Sequence, residues 1–217
     1  MPLWFQAVKG TTAVQSGIRT IPLVLALVAG AIISGGLTTK IGYYVPFMFV
    51  SAILMSVGCG LMTTFKVDTG HAKWIGYSVL SGFGLGAGMQ PPNLAAQTVL
   101  EKKDVPMGVS LMFFCQSLGG AIFLCIGQSL FRNYLTSTLP GISGVDSGAT
   151  LATGATELAK MVSPDKLSEV LVVYNDALRR SFQVALAVSC LLVLPALGMQ
   201  WKSIKKADSS NPSKSAA

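Results

Sequence analysis

Residues 74–100 read WIGYSVLSGFGLGAGMQPPNLAAQTVL, and no charged side chain occurs between Ile75 and Leu100. At about 1.5 Å per residue, a helix of this length crosses the roughly 30 Å hydrocarbon core of a bilayer. The stretch therefore predicts a membrane-spanning helix.

Four glycines lie inside this stretch at alternate positions, namely Gly82, Gly84, Gly86 and Gly88. Gly82 and Gly86, and likewise Gly84 and Gly88, are four residues apart, so each pair removes side chains from one face of a helix. A neighbouring helix can then approach backbone to backbone. We expect these glycines, and Gly119 with Gly120 in a later apolar run, to form helix-packing surfaces.

Two prolines follow the glycines, at positions 91 and 92. Each proline lacks a backbone donor, so Pro91 and Pro92 are expected to bend or break the helix. The carbonyl groups they free need partners from neighbouring helices or water. A dinucleotide-binding loop is the alternative interpretation of the glycines, but that motif needs a preceding strand and a final glycine where this sequence has Met89.

The composition is that of an integral membrane protein. Of 217 residues, 51% are hydrophobic and 12% are charged, compared with about 25% charged in ordinary soluble domains. The mean hydropathy is +0.59 and the net charge is +7. The basic residues are scattered without interleaved aromatics, so we expect the lipid bilayer, and no nucleic acid, as a partner.

The apolar runs predict an all-α membrane protein with five full spans and an N-terminal helix stub. The stub is residues 1–8, and the spans are residues 17–39, 41–65, 75–100, 107–131 and 181–201. Ser16 can cap the first span. Arg19 either reaches the interface with its long side chain or faces an internal cavity. Residues 1–201 are predicted to form one transmembrane unit.

An outer segment and a tail complete the chain. Residues 132–180 are predicted to be an outer loop carrying an amphipathic helix that starts at Ser163-Pro164. Residues 202–217 are rich in Ser and Lys and are predicted to be a disordered cytoplasmic tail. With the C-terminus inside, six basic residues of short segments lie inside and four outside, which agrees with the positive-inside rule.

The order of several motifs resembles the C-terminal half of a major facilitator superfamily transporter, in the fungal fourteen-helix drug:proton antiporter branch. The segments that carry the resemblance are LWFQAVKGTTAVQSGIRTIPL, KWIGYSVLSGFGLGAGMQPPNLAAQTVL, GVSLMFFCQSLGGAIFLCIGQSLF and GATELAKMV…YNDALRRSF. Residues 35–44, GGLTTKIGYY, are similar to the family's G-x-L-x-D-R-x-G-R-K loop. Thr39 replaces the acidic residue of that loop, and Tyr43 and Tyr44 replace the basic pair. The positions that keep its pattern are Gly35, Leu37, Lys40 and Gly42.

The resemblance implies proton-coupled efflux of small amphipathic organic compounds, such as drugs or fungal secondary metabolites. It also implies an N-terminal transporter half outside this chain, and the plasma membrane or the vacuolar membrane as location. A truncated, non-transporting protein that assembles with or regulates other transporters is the alternative. Candidate substrate-cavity residues are the amides within apolar spans, with interhelical hydrogen bonds as the alternative role: Gln90, Asn93, Gln97 and Gln116.

Side chains that are charged at neutral pH are missing from the predicted spans, apart from Arg19. No Asp, Glu or His lies in them, and His71 is the single histidine. A general base or a metal-ligand set therefore has no residues to use, and we expect neither catalysis nor a cofactor. Proton transport normally uses buried ionisable groups, so the proton carrier is expected in the other half, and this chain is not expected to transport alone.

The predicted topology can be tested by accessibility labelling. In a background without the native cysteines, Ser143→Cys should react with an impermeant maleimide from outside, and Ser209→Cys only after the membrane is opened. The two positions flank the predicted last span, which places them on opposite sides. Labelling of both from the same side would contradict this topology.

Overall fold

A computed structural model of the protein describes residues 1–141, 164–199 and 201. No strand lies within these ranges. The helices are α1 (Pro2–Ala7), α2 (Ala13–Ile41), α3 (Val45–Met62), α4 (His71–Val99), α5 (Val105–Thr138), a 3₁₀ turn (Leu139–Gly141), α6 (Pro164–Leu191) and α7 (Val193–Gly198). The prediction of an all-α bundle with five long helices and an N-terminal stub is confirmed. The predicted tail at 202–217 and residues 142–163 of the predicted outer loop lie outside the described residues.

Helix α4 lies against α2 through one glycine pair. A Cβ built on Gly82 would overlap the carbonyl oxygen of Leu23, and one on Gly86 would overlap that of Leu27. The contacting positions rise together along both helices, so α2 and α4 run parallel. The two backbones can therefore lie this close together only because glycine has no side chain at these positions.

The other glycine pair of α4 lies against α3. A Cβ on Gly84 would be 2.8 Å from the backbone nitrogen of Met55, and one on Gly88 would overlap the hydroxyl of Ser51. Here the contacting positions run in opposite directions, so α3 and α4 are antiparallel. Positions two apart point to nearly opposite sides of a helix, which is why the four glycines meet two neighbours rather than the one that the sequence predicts.

Helices α2 and α3 each also place a glycine of their own against α4. A Cβ on Gly30 of α2 would clash with the backbone of Phe83, and one on Gly58 of α3 would clash with Ser81. The expected packing surface is not found at Gly119 and Gly120 of α5, where no described atom lies within 4 Å of a built Cβ. The same pattern of small residues therefore has different surroundings on α4 and α5.

Helix α4 continues without a break through Pro91 and Pro92. Pro91 has no N–H to donate to the carbonyl of Ala87, four residues earlier. The hydroxyl of Ser34 on α2 donates to this carbonyl at 2.9 Å. Ser51 of α3 donates to the carbonyl of Gly84 at 2.7 Å. A neighbouring helix thus supplies the hydrogen bond that the proline removes.

An aromatic cluster joins the helix ends on one side of the bundle. The rings of Trp4 and Phe65 stack at 4.9 Å, and those of Phe5 and Trp74 meet edge to face at 4.8 Å. Asn175 of α6 is buried beside them and accepts a hydrogen bond from the Trp4 indole at 2.9 Å. Its amide also donates to the Phe65 carbonyl at 3.0 Å. One side chain thereby links α1, the α3–α4 loop and α6.

Helix α6 joins two segments that the sequence analysis separates at residue 180. It runs from Pro164 to Leu191 without interruption. The predicted amphipathic stripe is present, because Val170, Tyr174 and Leu178 are buried in the aromatic cluster. The helix ends at Leu191 because Pro195 cannot donate to the Leu191 carbonyl. The amphipathic segment is therefore the first half of the last long helix.

The first long helix begins earlier than predicted. Its N-cap is Thr12, whose hydroxyl accepts from the Gln15 amide at 3.3 Å, and not Ser16. Ser16 lies inside the helix and donates to the Pro2 carbonyl at 2.9 Å. Arg19 lies over the ring of Phe5, with 5.8 Å from its guanidinium carbon to the ring centroid. Arg19 thus packs against the aromatic cluster at the end of the bundle.

Four helical stretches are long and apolar enough to cross a membrane: Ala13–Ile41, Val45–Met62, Val105–Thr138 and Lys166–Gly198. Helix α4, the predicted third span, is not among them because its Gly, Ser, Asn and Gln residues lower its hydropathy. It is nevertheless 29 residues long and lies between α2 and α3. Its composition fits contact with protein rather than lipid on most of its surface.

The close approach of α4 to α2 predicts a cost for a single methyl group at position 86. Gly86→Ala should lower the thermal stability of the purified chain in detergent, because its Cβ must displace the α2 backbone; overpacking of this kind typically costs about 1–3 kcal/mol. Gly76→Ala is the matched control on the same helix, since no described atom lies within 4 Å of its built Cβ. Equal stability of the two variants would contradict the packing described here.

The Ser34 hydrogen bond predicts coupling between residues 34 and 91. Ser34→Ala should destabilise the chain by about 1 kcal/mol, because the Ala87 carbonyl loses its donor. In a Pro91→Ala background the restored backbone N–H can bind that carbonyl, so the same Ser34→Ala change should cost less. A double-mutant cycle measured by thermal unfolding in detergent gives this difference. Additive effects would show that the two residues act independently.

Candidate functional site

Helix α5 stands apart from the tightly packed α2–α4 group. Leu135 is its one residue classed as buried. Near this end Ser181 donates to the Gly127 carbonyl at 3.3 Å, and the rings of Phe131 and Tyr174 meet edge to face at 5.1 Å. Towards its other end α5 makes few close contacts with the described residues. It is thus attached to α6 at the aromatic end and is loosely held along the rest of its length.

A series of cavities lies between α5 and the rest of the bundle. Their volumes are about 280, 300, 560 and 580 Å³ from the aromatic end to the opposite end. Neighbouring cavities share lining residues: Phe123 joins the first two, Met55 the middle two, and Met112 the last two. They form one trough, and Gly119, Gly120 and Gly127 of α5 lie on it. Glycines expected to pack helices together therefore leave space instead.

The cavity of about 560 Å³, which we name the central cavity, lies between α3, α4 and α5. Asn93 of α4 and Gln116 of α5 both line it, and Ser51 of α3 adds a hydroxyl. The amide nitrogen of Asn93 donates to the Met89 carbonyl of its own helix at 3.3 Å. Two of the four predicted amides therefore meet at one cavity, on two different helices.

The other two predicted amides lie elsewhere. Gln90 and Gln97 are exposed and line none of the trough cavities. Gln90 lies beside α2, where a Cβ built on Gly35 would be 3.7 Å from its Cγ. Neither residue has an interhelical hydrogen bond among those found in the described residues. Asn93 shares their side of the helix but also borders the face that lines the central cavity, together with Met89 and Pro92.

Methionines form much of the trough wall, which the sequence analysis did not foresee. Met55, Met89 and Met112 line the central cavity. The cavity of about 580 Å³, which we name the end cavity, is lined by Met48, Met112 and Met199. The sequence contains nine methionines spread over several apolar runs, so no local pattern marks these five as neighbours.

Charged groups are absent from the walls of these two cavities. No Asp, Glu, Lys, Arg or His is among the described residues that line the central and end cavities. Nor do the described parts of the chain contain a group of three or more His, Cys, Asp or Glu side chains placed to hold a metal ion. The chemistry available at the trough is hydrogen bonding by amides and hydroxyls together with apolar contact.

The loop signature forms the α2–α3 turn, at the end of the bundle opposite the aromatic cluster. Gly42 caps α2 with φ of +84°, a left-handed conformation that favours glycine, and its N–H donates to the Thr38 carbonyl at 2.8 Å. Lys40 lies in the last turn of α2, where a cation favours the helix dipole. Gly35 faces Gln90, whose Cγ would be 3.7 Å from a Cβ built on Gly35, and Leu37 is exposed. Of the retained residues, Gly42 and Lys40 thus lie at the helix ending, and Gly35 and Leu37 lie within α2.

Comparison with curated proteins shows that the chain is similar to part of several fungal efflux pumps. It is 51% identical over 205 residues to the rubrofusarin-specific efflux pump aurT of Gibberella zeae, covering 94% of this chain and 38% of that protein. It is 48% identical to the efflux pump ustT of Ustilaginoidea virens, and the match covers 94% of this chain and 39% of that protein. It is 47% identical to the MFS-type efflux pump MFS1 of Trichophyton rubrum, and the match covers 94% of this chain and 38% of that protein. No family model matches the chain.

These relatives confirm the resemblance to fungal major facilitator efflux pumps. The chain spans about two fifths of the length of the curated relatives it matches. Together with the long apolar helices, the relatives identify an integral membrane protein that crosses the bilayer several times.

Proposed function

We propose, on the premise that this chain is homologous to part of the fungal MFS-type efflux pumps, that it forms one half of a transporter. That transporter exports small amphipathic organic compounds, such as drugs or fungal secondary metabolites, in exchange for protons. Identity of 51% over 94% of the chain with a pump named for rubrofusarin is the observation that carries the proposal. The chain would act as a transporter component and not as an enzyme.

The trough supplies a place for a substrate. A volume of about 560 Å³ in the central cavity falls within the roughly 300–1,000 Å³ of typical small-molecule sites. Its position between α3, α4 and α5, away from the helix ends, fits a site near the middle of the membrane. Asn93 and Gln116 would orient the substrate by hydrogen bonds, and apolar side chains would contact the remainder.

The second half of the transporter would cover α5. The described part of this helix has Phe113, Phe114 and Leu124 among its exposed apolar side chains, and only Leu135 is buried. In alternating access, two halves move against each other around one site. Since α5 borders the trough, and its other side is exposed in the described part of the chain, it is placed to contact both substrate and partner half. The proton-carrying acid would belong to that half.

The same exposed helix supports a second candidate function. The chain could assemble with complete transporters through α5 and regulate them without transporting. In either case we place the protein in the plasma membrane, with the vacuolar membrane as the alternative, and the C-terminus in the cytoplasm. Flux measurements separate the two functions.

Reconstitution in liposomes with an imposed pH gradient tests the proposal. The chain alone should not move rubrofusarin, whereas the chain fused behind the N-terminal remainder of the rubrofusarin-specific pump should do so, because the fusion restores two halves. Collapsing the gradient should abolish this flux. Gln116→Leu in the fusion should reduce it, and Gln97→Leu, outside the trough, should not.

Three outcomes would contradict the proposal. Gradient-dependent flux by the chain alone would show that it is a complete transporter. An inactive fusion that is folded and inserted would argue against a transporter half. Inhibition of an intact pump by the chain, without flux by the fusion, would favour the regulatory function.

A further inference from the structure

We propose that the end cavity holds an acyl chain of an anionic phospholipid, whose headgroup lies at the α4–α5 loop beside Lys102. This cavity of about 580 Å³ lies between α3, α4, α5 and α7. Such a lipid is a ligand distinct from the transported compound. Its binding requires only that the chain lies in a membrane, so it does not depend on the proposed transport function.

The end cavity lies where its helices begin or end. Tyr44 directly precedes α3, Leu100 directly follows α4, and Gly198 is the last residue of α7. All three line the cavity. Tyr43 and Trp201, which are close in the chain to lining residues, have exposed aromatic side chains of the kind found at membrane interfaces. The cavity is therefore at the depth where acyl chains meet headgroups.

The lining of the end cavity suits hydrocarbon. Among the described residues that line it, the hydroxyl of Tyr44 is the one side-chain group with a nitrogen or oxygen atom. The central cavity, in contrast, has the amides of Asn93 and Gln116 on its walls. An apolar space of this size leaves its wall atoms without van der Waals partners. An acyl chain from the surrounding bilayer supplies those contacts.

Methionines and an exposed wall favour a flexible chain that enters from the bilayer. Met48, Met112 and Met199 line the cavity from different segments, and their unbranched side chains adapt to irregular shapes. Leu111 of the loosely held helix α5 is on the same wall and is exposed. An acyl chain can therefore reach the cavity along α5 without passing through the tightly packed helices.

The α4–α5 loop, residues 101–104, lies at the rim of this cavity. It begins directly after Leu100, and three residues into α5 the chain reaches Gly108, which is also part of the lining. A Cβ built on Gly108 would overlap the side chain of Leu100. The two ends of the loop are thus close together on the cavity wall, and a headgroup above the acyl chain meets the loop.

The charges at this end favour an anionic headgroup. Lys103 forms an ion pair with Glu101 at 2.9 Å. Lys102 is exposed, and the described residues contain no ion pair that involves it, so its ammonium group is available to a lipid phosphate. Glu101 and Asp104 balance the two lysines of the loop. Further positive charge at this end comes from Lys40, Lys202, Lys205 and Lys206.

Native mass spectrometry of the full chain tests the proposal. The chain is released from nanodiscs that contain equal amounts of dioleoylphosphatidylglycerol and dioleoylphosphatidylcholine, two lipids with the same acyl chains. We expect one phosphatidylglycerol per chain, retained with a preference of about fivefold or more, since one lysine near an anionic surface contributes about that factor. Equal retention of both lipids, or retention of neither, would overturn the proposal.

A matched pair of variants locates the acyl chain. Ala96 lines the end cavity, so the ring of Ala96→Phe should occupy it and abolish lipid retention. Ala72→Phe makes the same change at an exposed position near the other end of α4 and should leave retention unchanged. Equal retention by the two variants would exclude the cavity.

A short-chain competitor gives a second readout on the unmodified protein. Dihexanoylphosphatidylglycerol has the same headgroup but chains too short to fill the cavity. An excess of it in detergent should leave the long-chain lipid bound. Displacement would show that the headgroup alone carries the binding, which contradicts an acyl-chain site.

A second pair of variants locates the headgroup. Lys102→Gln should lower the preference for phosphatidylglycerol about fivefold, because one positive charge at the rim is lost. Lys73→Gln removes the same charge at an exposed position at the aromatic end, and the preference should stay as it is. Equal effects of the two changes would exclude the α4–α5 loop as the headgroup site.

Other occupants of the cavity give distinct results. Retention of ergosterol in place of the phospholipid, when the nanodiscs contain both, would contradict the choice of lipid. Displacement of the phospholipid by rubrofusarin would show that the end cavity takes the transported compound. If the lipid is retained as expected but the fusion protein moves no compound along a pH gradient, the lipid site stands and the transport function fails.

Discussion

Direct contact of the α4 backbone with α2 and α3 is the interaction on which the rest of this structure depends. In a bilayer, helices gain little from hiding apolar side chains from one another, so close van der Waals contact and interhelical hydrogen bonds hold them together. The glycines at positions 82–88 permit that contact on two sides of α4, and Ser34 and Ser51 add hydrogen bonds to its carbonyl groups. The position and rotation of α4 are thereby fixed, and with them the wall that Pro92 and Asn93 present to α5.

The bundle combines the tightly packed helices α2, α3 and α4 with the loosely packed helix α5. Helix α5 also contains a Gly-Gly pair, but no described atom lies near its Cβ positions, and the trough occupies that space. The cavities of the trough increase in volume from about 280 Å³ at the aromatic end to about 580 Å³ at the opposite end. Rigid α4 and loosely held α5 therefore face each other across the space where Asn93 and Gln116 meet.

Much of this fold could be predicted from the sequence, because apolar runs and breaks between them set the helices in a membrane protein. The glycine spacing also predicted close helix contact on α4. It could not predict which neighbour each pair meets, or that Gly119 and Gly120 meet none of the described residues, since that depends on helix rotation. For the same reason Gln90 and Gln97 could not be separated from Asn93, which lies on the same side of the helix. The methionine lining arises from five distant positions and has no local signature.

Asn175 has a consequence for the order in which the molecule is built. It bonds to Trp4 across 171 positions of the chain and to Phe65 across 110. Synthesis runs from the N-terminus, so α2, α3 and α4 can meet through their glycines well before residue 175 emerges from the ribosome. Helix α1 acquires its buried polar partner only when the last long helix has entered the membrane. The aromatic end is thus completed last, and the cell cannot finish assembling this bundle until the last long helix has been synthesised.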